Sequence, residues 1–371
     1  MLSRKDVESI SRSLNEPEWL LEERLYAFSI FEEFVAKNNS LADKFNSIYS
    51  KASSSRKRSI ASSSTGFGVM SFHDLLYNEL RAEFAKEAFL SKQHKPESNP
   101  EIAFVLAFFT DCNFYFAEAA QKIDFRNEIA DGVSVDLFFL EDKCTGNIIR
   151  NLKDGLKLEE YNIGASCNLE SLIINTASNE NVFISCANII GSYSVVNTYS
   201  ASFGSGKVET LDKLAGEKAE AYDVELFIEG DNNNFAINST LQHTAHSTKG
   251  NIYVKGITKD SAKVKLDGMI KVDVTGAGAE SFLDQHVILM NPGCHAEANP
   301  ELEIENNDIS SRHSASVSQI DDEKIFYTEC RGVSKEQAKE LIVEGFLNSA
   351  VERIKSDKLK EEVVAMMEKY R

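Results

Sequence analysis

Apolar residues recur at helical spacing from Trp19 onward: Leu20, Leu21, Leu25, Phe28, Phe31, Phe34 and Val35 share one side, and Glu22, Glu23, Glu32 and Glu33 take the other. Asn15 and Glu16 precede Pro17, whose missing N–H suits the start of a helix. A second helical pattern runs over 72–90 and stops before His94, Lys95 and Pro96. Beyond about residue 102 the period changes from helical to two. Short runs at 171–175, 181–185, 224–228, 234–238, 251–255, 262–266, 269–273, 286–290 and 301–305 are rich in Val, Ile, Leu and Phe, and several alternate apolar with polar residues. Turn-forming Gly, Asn, Asp and Ser lie between them, and Pro292 and Pro300 are placed in loops. After residue 320 the helical pattern returns. Ser334 and Gln337 have capping-box spacing, and Ala338, Leu341, Ile342, Leu347, Ala350, Val351 and Ile354 trace an apolar stripe. Ser356 and Asp357 break it before a last helical segment over 358–371.

Some 200 residues of short strands with no intervening helix fit a sandwich, a barrel or a solenoid. Rung-like spacing, the run Asp231 to Asn234 and small residues on strands favour a parallel β-helix, in which stacked rungs bury one continuous core. No fixed repeat length is visible. The expected organisation is a helical N-terminal domain over 1–100, a β-helix over 101–322 and a helical C-terminal domain over 323–371. Residues 51–64, Ser-rich and basic, read as a solvated linker within the first of these.

The 371 residues carry 40 Lys and Arg against 58 Asp and Glu, a net charge of −18. Such a surface repels phosphate backbones and anionic lipid, so neither nucleic acid nor membrane is expected as a partner. The N-terminus lacks an apolar signal core, and the run 102–110 is about half the roughly 20 residues that span a bilayer. The expected location is the cytoplasm. Six cysteines without a CxxC pair fit a reduced protein with neither a zinc ribbon nor a disulfide scaffold.

Candidate chemistry is sparse. Gly204, Ser205, Gly206 and Lys207 resemble a phosphate loop, but Ala201 stands where its first Gly belongs and Val208 where Ser or Thr would hold magnesium. The segment is read as a turn. His243 and His246, three apart, would face opposite sides of a strand, which suits structural roles better than one metal. Cys294, beside His295, has no further ligand near in sequence, and an inert packing role is the default for it and for the other cysteines. No Ser/His/Asp arrangement stands out.

Residues 300–327 (PELEIENNDISSRHSASVSQIDDEKIFY) closely resemble the C-terminal signature of SufB and SufD proteins, which serve iron–sulfur cluster assembly. Residues 331–338 (RGVSKEQA) and 341–346 (LIVEGF) resemble that family's closing helices, 265–273 (KLDGMIKVD) a β-helix segment, and 15–25 (NEPEWLLEERL) its N-terminal helix in a form commoner in SufB. The resemblance implies a right-handed parallel β-helix between helical domains. It implies a complex with SufC, an ABC-type ATPase docking on the C-terminal helices, and pairing with SufB, or with a second copy, through the β-helices. The nascent cluster forms at that junction, so none would be tightly bound by one chain, and a non-enzymatic role is expected.

His313 matches the family histidine proposed as a cluster or iron ligand in SufD, and a neutral imidazole is a suitable ligand for iron. Where SufB has its cluster-handling cysteine this chain has Gln285, where SufB has Glu after the histidine it has Ser314, and Ser311 replaces a cysteine common two residues before that histidine. Cys294 is the nearby thiol available to stand in. These departures place the chain nearer SufD, with a SufB-like scaffold of a minimal system as the alternative. Leu341, Ile342, Phe346 and Leu347 are the expected ATPase-docking residues. A β-helix enzyme, either a polysaccharide lyase or an acyltransferase with a six-residue repeat, and an adaptor without cluster contact are the rivals from other classes.

Overall fold

A computed structural model describes residues 2–54, 63–78, 81–129 and 132–370. Two nine-stranded sheets enclose the core, and successive strands alternate between them, so that each pair of strands forms one of eight stacked rungs. One sheet contains Lys122–Ile129, Thr145–Leu152, Asn168–Asn175, Val195–Ser202, Glu220–Glu229, Lys249–Thr258, Ala279–Leu289 and Ile309–Gln319. The other contains Asp111–Ala117, Val133–Leu140, Leu156–Ile163, Phe183–Ile190, Gly206–Leu214, Asn234–His243, Lys263–Val272 and His295–Ile304. All pair in parallel. The molecule is thus a parallel β-solenoid.

The repeat length drifts. Asn113 bonds Asp136 on the next rung 23 residues on, whereas Ser281 meets Ser311 after 30. Left-handed backbone at Ala120, Lys143, Ser166, Tyr193, Lys218 and Ser247 makes the recurrent turn. Of the linker expected over 51–64, residues 51–54 end helix Ser40–Ser54, 63–64 begin a strand and 55–62 lie outside the described residues; Ser63–Thr65 and Gly68–Ser71, on either side of Phe67, pair antiparallel onto the first rung. That end of the solenoid is therefore capped. Among the described residues no strand caps the other end.

Inside, side chains stack in register. Tyr115, Phe138 and Tyr161 occupy the same place on three rungs, with ring centroids 4.4 and 4.2 Å apart. Phe138→Ala should cost about 3–5 kcal/mol, because its neighbours are fixed by both ladders and cannot close the gap; denaturant unfolding checks this.

The interior also holds charge. Lys157 Nζ lies 2.5 Å from Asp136 and 3.8 Å from Glu159, and Arg150 Nε lies 3.2 Å from Glu159. Further along, Asp212, Asp223 and Glu225 are buried beside one another, with hydroxyls and amides as their other polar neighbours. Burial lifts Glu225 to about 7 and Glu229 to about 8, and raises Asp212 and Asp223. The unfolded chain loses these protons above about pH 4.5, while the folded chain keeps them. Their stabilisation is therefore complete below that pH and lost as pH rises through 7 and 8. The acid side has its own limit. Burial lowers His94 to about 3 and His243 to about 4, so their stabilisation is present above about 6.5 and lost as pH falls. Glu225→Gln and Glu229→Gln should each flatten the decline in Tm between about pH 5 and 8, at about 1.4 kcal/mol per pH unit for each group. Melting curves at constant ionic strength test it, and a decline unchanged in both variants would refute the assignment.

Helices cover both outer faces. Arg4–Ser13, Glu18–Lys37, Ser40–Ser54, Phe72–Leu76 and Ala82–Leu90 gather around Pro100–Phe108, which lies against strands Val133–Leu140 and Leu156–Ile163. The apolar run after Pro100 is thus a helix, buried from Glu101 to Phe108, and the strands of the stacked rungs begin only at Asp111. Arg24 ties this layer together: its guanidinium pairs with Glu16 at 2.6 and 2.7 Å, donates to the Ala107 carbonyl at 3.1 Å and lies 3.8 Å over Phe109. Against the burial that would raise it, His73 and Arg24 hold Glu16 down to about 2.

On the opposite sheet, Asp322–Glu329, Lys335–Val351 and Asp357–Tyr370 follow the last strand. Gln337 N donates to Ser334 Oγ at 3.2 Å and Ser334 N to Gln337 Oε1 at 3.2 Å, completing the capping box. Val343, Leu347, Ala350, Val351, Leu359 and Val363 pack on Leu172, Tyr199, Leu226 and Ile257. Lys255 Nζ donates to Ser349 Oγ at 2.6 Å, and Lys355 N to the Tyr199 hydroxyl at 3.0 Å. No helix among the described residues is long and apolar enough to cross a membrane.

Candidate functional site at the open end

The last rung, His295–Ile304 and Ile309–Gln319, is covered by no further rung among the described residues. Its two free edges differ. His295 N bonds Ala262 O and Glu305 N bonds Val272 O, so the odd-numbered amides face the sheet and the even-numbered ones, Pro300 among them, face outward. Pro300 lies within the strand rather than in a loop, tolerated because its missing donor is on the free side. Glu297, Glu301 and Glu303 add charge. This edge is blunted against pairing.

Ile309–Gln319 is different. Ile320 N bonds Leu289 O, so the backbone groups of residues 309, 311, 313, 315, 317 and 319 point to the open side. This strand contains neither proline nor a carboxylate. Six residues of this eleven-residue strand present a regular ladder, unpaired among the described residues.

His313 sits at the middle of this strand, exposed and in register with Leu283. Leu283 is fully buried in the lumen, so the alternation puts His313 on the lumen-facing side of the last rung among the described residues. Ser311 meets Ser281 at 2.9 Å, Oγ to Oγ, and Ala315 lies above Gln285. Gln285 is 1% exposed, and neither its amide oxygen nor its nitrogen has a hydrogen-bond partner. A Cβ at Gly268 would fall 2.7 Å from Gln285 Nε2, so glycine there makes room for the amide.

Outside the lumen, His286 Nε2 lies 2.7 Å from Asp284 Oδ1 and His286 Nδ1 2.5 Å from Ser316 Oγ, while Ser314 donates to Asp284. This network joins the last two rungs. It escaped the sequence because its partners are 30 residues apart in a chain without a fixed period. Among the described residues no three His, Cys, Asp or Glu side chains converge as a metal-holding group.

Cys294 is buried, its thiol donating to the carbonyls of Thr258 at 3.1 Å and Asn291 at 3.0 Å. It is not brought beside His313 by strand register, which pairs His295 with Lys263. His243 is buried against Thr248 at 2.7 Å, whereas His246 is exposed near Glu217. The segment 204–207 is a turn entering strand Gly206–Leu214. Five cysteines are buried and Cys330, expected among apolar residues, is exposed.

Helix Lys335–Val351 divides its apolar residues between two faces. Leu347 is 1% exposed and packs on the sheet, and Phe346 is half-buried under Lys255. Leu341 is 53% exposed, and with Val333, Gln337, Glu340 and Glu344 it lines an open groove. Ile342 is half-buried beside it, and Phe326 and Tyr327 are exposed on the preceding helix.

Residues 153–346 match the family model described as "SUF system FeS cluster assembly, SufBD core domain". The chain is 29% identical over 127 residues to the iron–sulfur cluster assembly protein SufD of Bacillus subtilis, covering 34% of this chain. It is 31% identical over 134 residues to SufB of the same organism, covering 36%, and 30% identical over 134 residues to a SufBD family protein of Staphylococcus aureus strain USA300. In each case the match spans 29% of the relative's length.

Proposed function

Since the chain belongs to the SufB/SufD family of iron–sulfur cluster assembly proteins, we propose that it is a SufD-like, non-catalytic subunit of the assembly scaffold. It pairs through strand Ile309–Gln319 with a SufB-type partner or a second copy. The observation that carries this is His313: exposed, lumen-facing, and on the one terminal strand whose free edge is unobstructed. A partner strand added there extends the sheet and encloses the imidazole at the seam. One imidazole cannot hold a cluster alone, so the remaining ligands come from the partner, and iron or cluster is cargo. Gln285, in place of a thiol, supplies no ligand of that kind, which favours the SufD-like role over a scaffold acting alone.

The same strand runs directly into helix Asp322–Glu329 and then into the groove around Leu341. We place the SufC-type ATPase on this groove, where its nucleotide-driven movement would pull on the segment next to the seam. Leu341→Asp should weaken ATPase binding by about thirtyfold or more, the scale of an interface hot spot, and leave Tm unchanged because the side chain is exposed. Co-purification and titration with the ATPase test this. Binding equal to wild type would remove the groove from the interface.

A further inference from the structure

Two thiols occupy the same place on adjacent rungs. Each follows a left-handed residue of the recurrent turn, Lys143 before Cys144 and Ser166 before Cys167. Thr145 pairs with Asn168, and Asn168 N donates to Cys144 O at 2.9 Å, which fixes the two cysteines in register. Cys144 Sγ donates to Glu118 O at 3.2 Å and Cys167 Sγ to Glu141 O at 3.3 Å. Both thiols therefore lean toward the preceding rung, which turns the thiol of Cys167 toward the rung that carries Cys144. Neighbouring strands lie about 4.8 Å apart, inside the 4.4–6.8 Å Cα range of disulfides. Among the described residues no other two cysteines hold equivalent places on adjacent rungs.

We propose that Cys144 and Cys167 are a redox-active pair that closes reversibly to an intrachain disulfide between adjacent rungs. With a small disulfide as oxidant, one protein thiol loses its proton and attacks, expelling one small thiolate. The second protein thiol then loses its proton, attacks the mixed disulfide at the protein sulfur and expels the other. The two protons end on the two released thiols; the cysteine sulfurs are oxidised and the small disulfide reduced. Burial raises both thiols above the ordinary cysteine range, so the reaction is slow and needs the turn to open. In-register parallel neighbours hold their Cβ atoms farther apart than the mean of about 3.8 Å in disulfides, so the closed bond is strained and readily reduced.

The full-length chain carrying Cys330→Ser, which removes the exposed thiol, is incubated folded with excess oxidised glutathione. Intact mass should fall by two hydrogens, peptide mapping should join Cys144 to Cys167, and Tm should rise because the unfolded chain is cross-linked. Dithiothreitol should reverse all three changes. Adding Cys144→Ser or Cys167→Ser should abolish the mass loss and the Tm rise, and the mapping stands even if either variant folds poorly. Glutathione adducts alone, or a disulfide formed only after denaturation, would overturn the proposal.

Discussion

Replacing His313 with alanine should lower the yield of assembled cluster at least about tenfold, the scale on which losing a residue that supports a metal site weakens it. The assay is anaerobic reconstitution with iron, sulfide source, a SufB-type partner and the ATPase, followed by visible absorbance. Because the imidazole is exposed, the variant should keep its Tm and its affinity for the partner. That combination separates the scaffold role from an adaptor: full cluster yield with His313→Ala would leave the chain as a structural subunit without cluster contact. A polar replacement such as His313→Gln should not restore assembly, since an amide is a poor iron ligand.

Ala315→Pro should abolish pairing. The Ala315 amide faces the free side of the terminal strand, so proline removes a donor from the seam while the ladder to Ala279–Leu289 keeps its bonds. The change copies on this edge what Pro300 does on the other. An interface built on main-chain addition should lose at least about tenfold in affinity, from one missing bond and the local shift in φ. Sedimentation of the subunit with its partner measures this. Ser316→Pro is the contrasting variant: its amide faces inward, so it should destabilise the rung itself.

Much of the architecture was legible. The Ser334–Gln337 capping box, the helix after Pro17 and eight of the sixteen rung strands follow from local chemistry that tertiary packing reinforces, the runs 262–266 and 269–273 being parts of the one strand Lys263–Val272. Pro300 was misplaced because a proline in an alternating run normally marks a loop; only the direction of each amide on a terminal strand makes it acceptable. The run after Pro100 looked like the start of the strands because a helix apolar on every side has no periodic signature. The drift from 23 to 30 residues per rung hid both the repeat and the Asp284–His286–Ser316 network.

The site was legible in part. His313 was singled out through a family signature, and nothing in periodicity distinguishes it from a polar residue on any strand. Its exposure comes from its place on the last of the described rungs, a property of the whole solenoid. Likewise the stripe on Lys335–Val351 showed an amphipathic helix, but which of Leu341 and Leu347 faces solvent depends on how the helix rolls onto the sheet.

Residue-resolved amide exchange of the subunit, free and bound to its SufB-type partner, tests the seam most directly. Amides at 309, 311, 313, 315, 317 and 319 should gain protection on binding, while 310, 312, 314, 316 and 318, already bonded within the sheet, should change little. Protection along the His295–Ile304 edge instead, or none at either edge, would contradict a junction formed around His313.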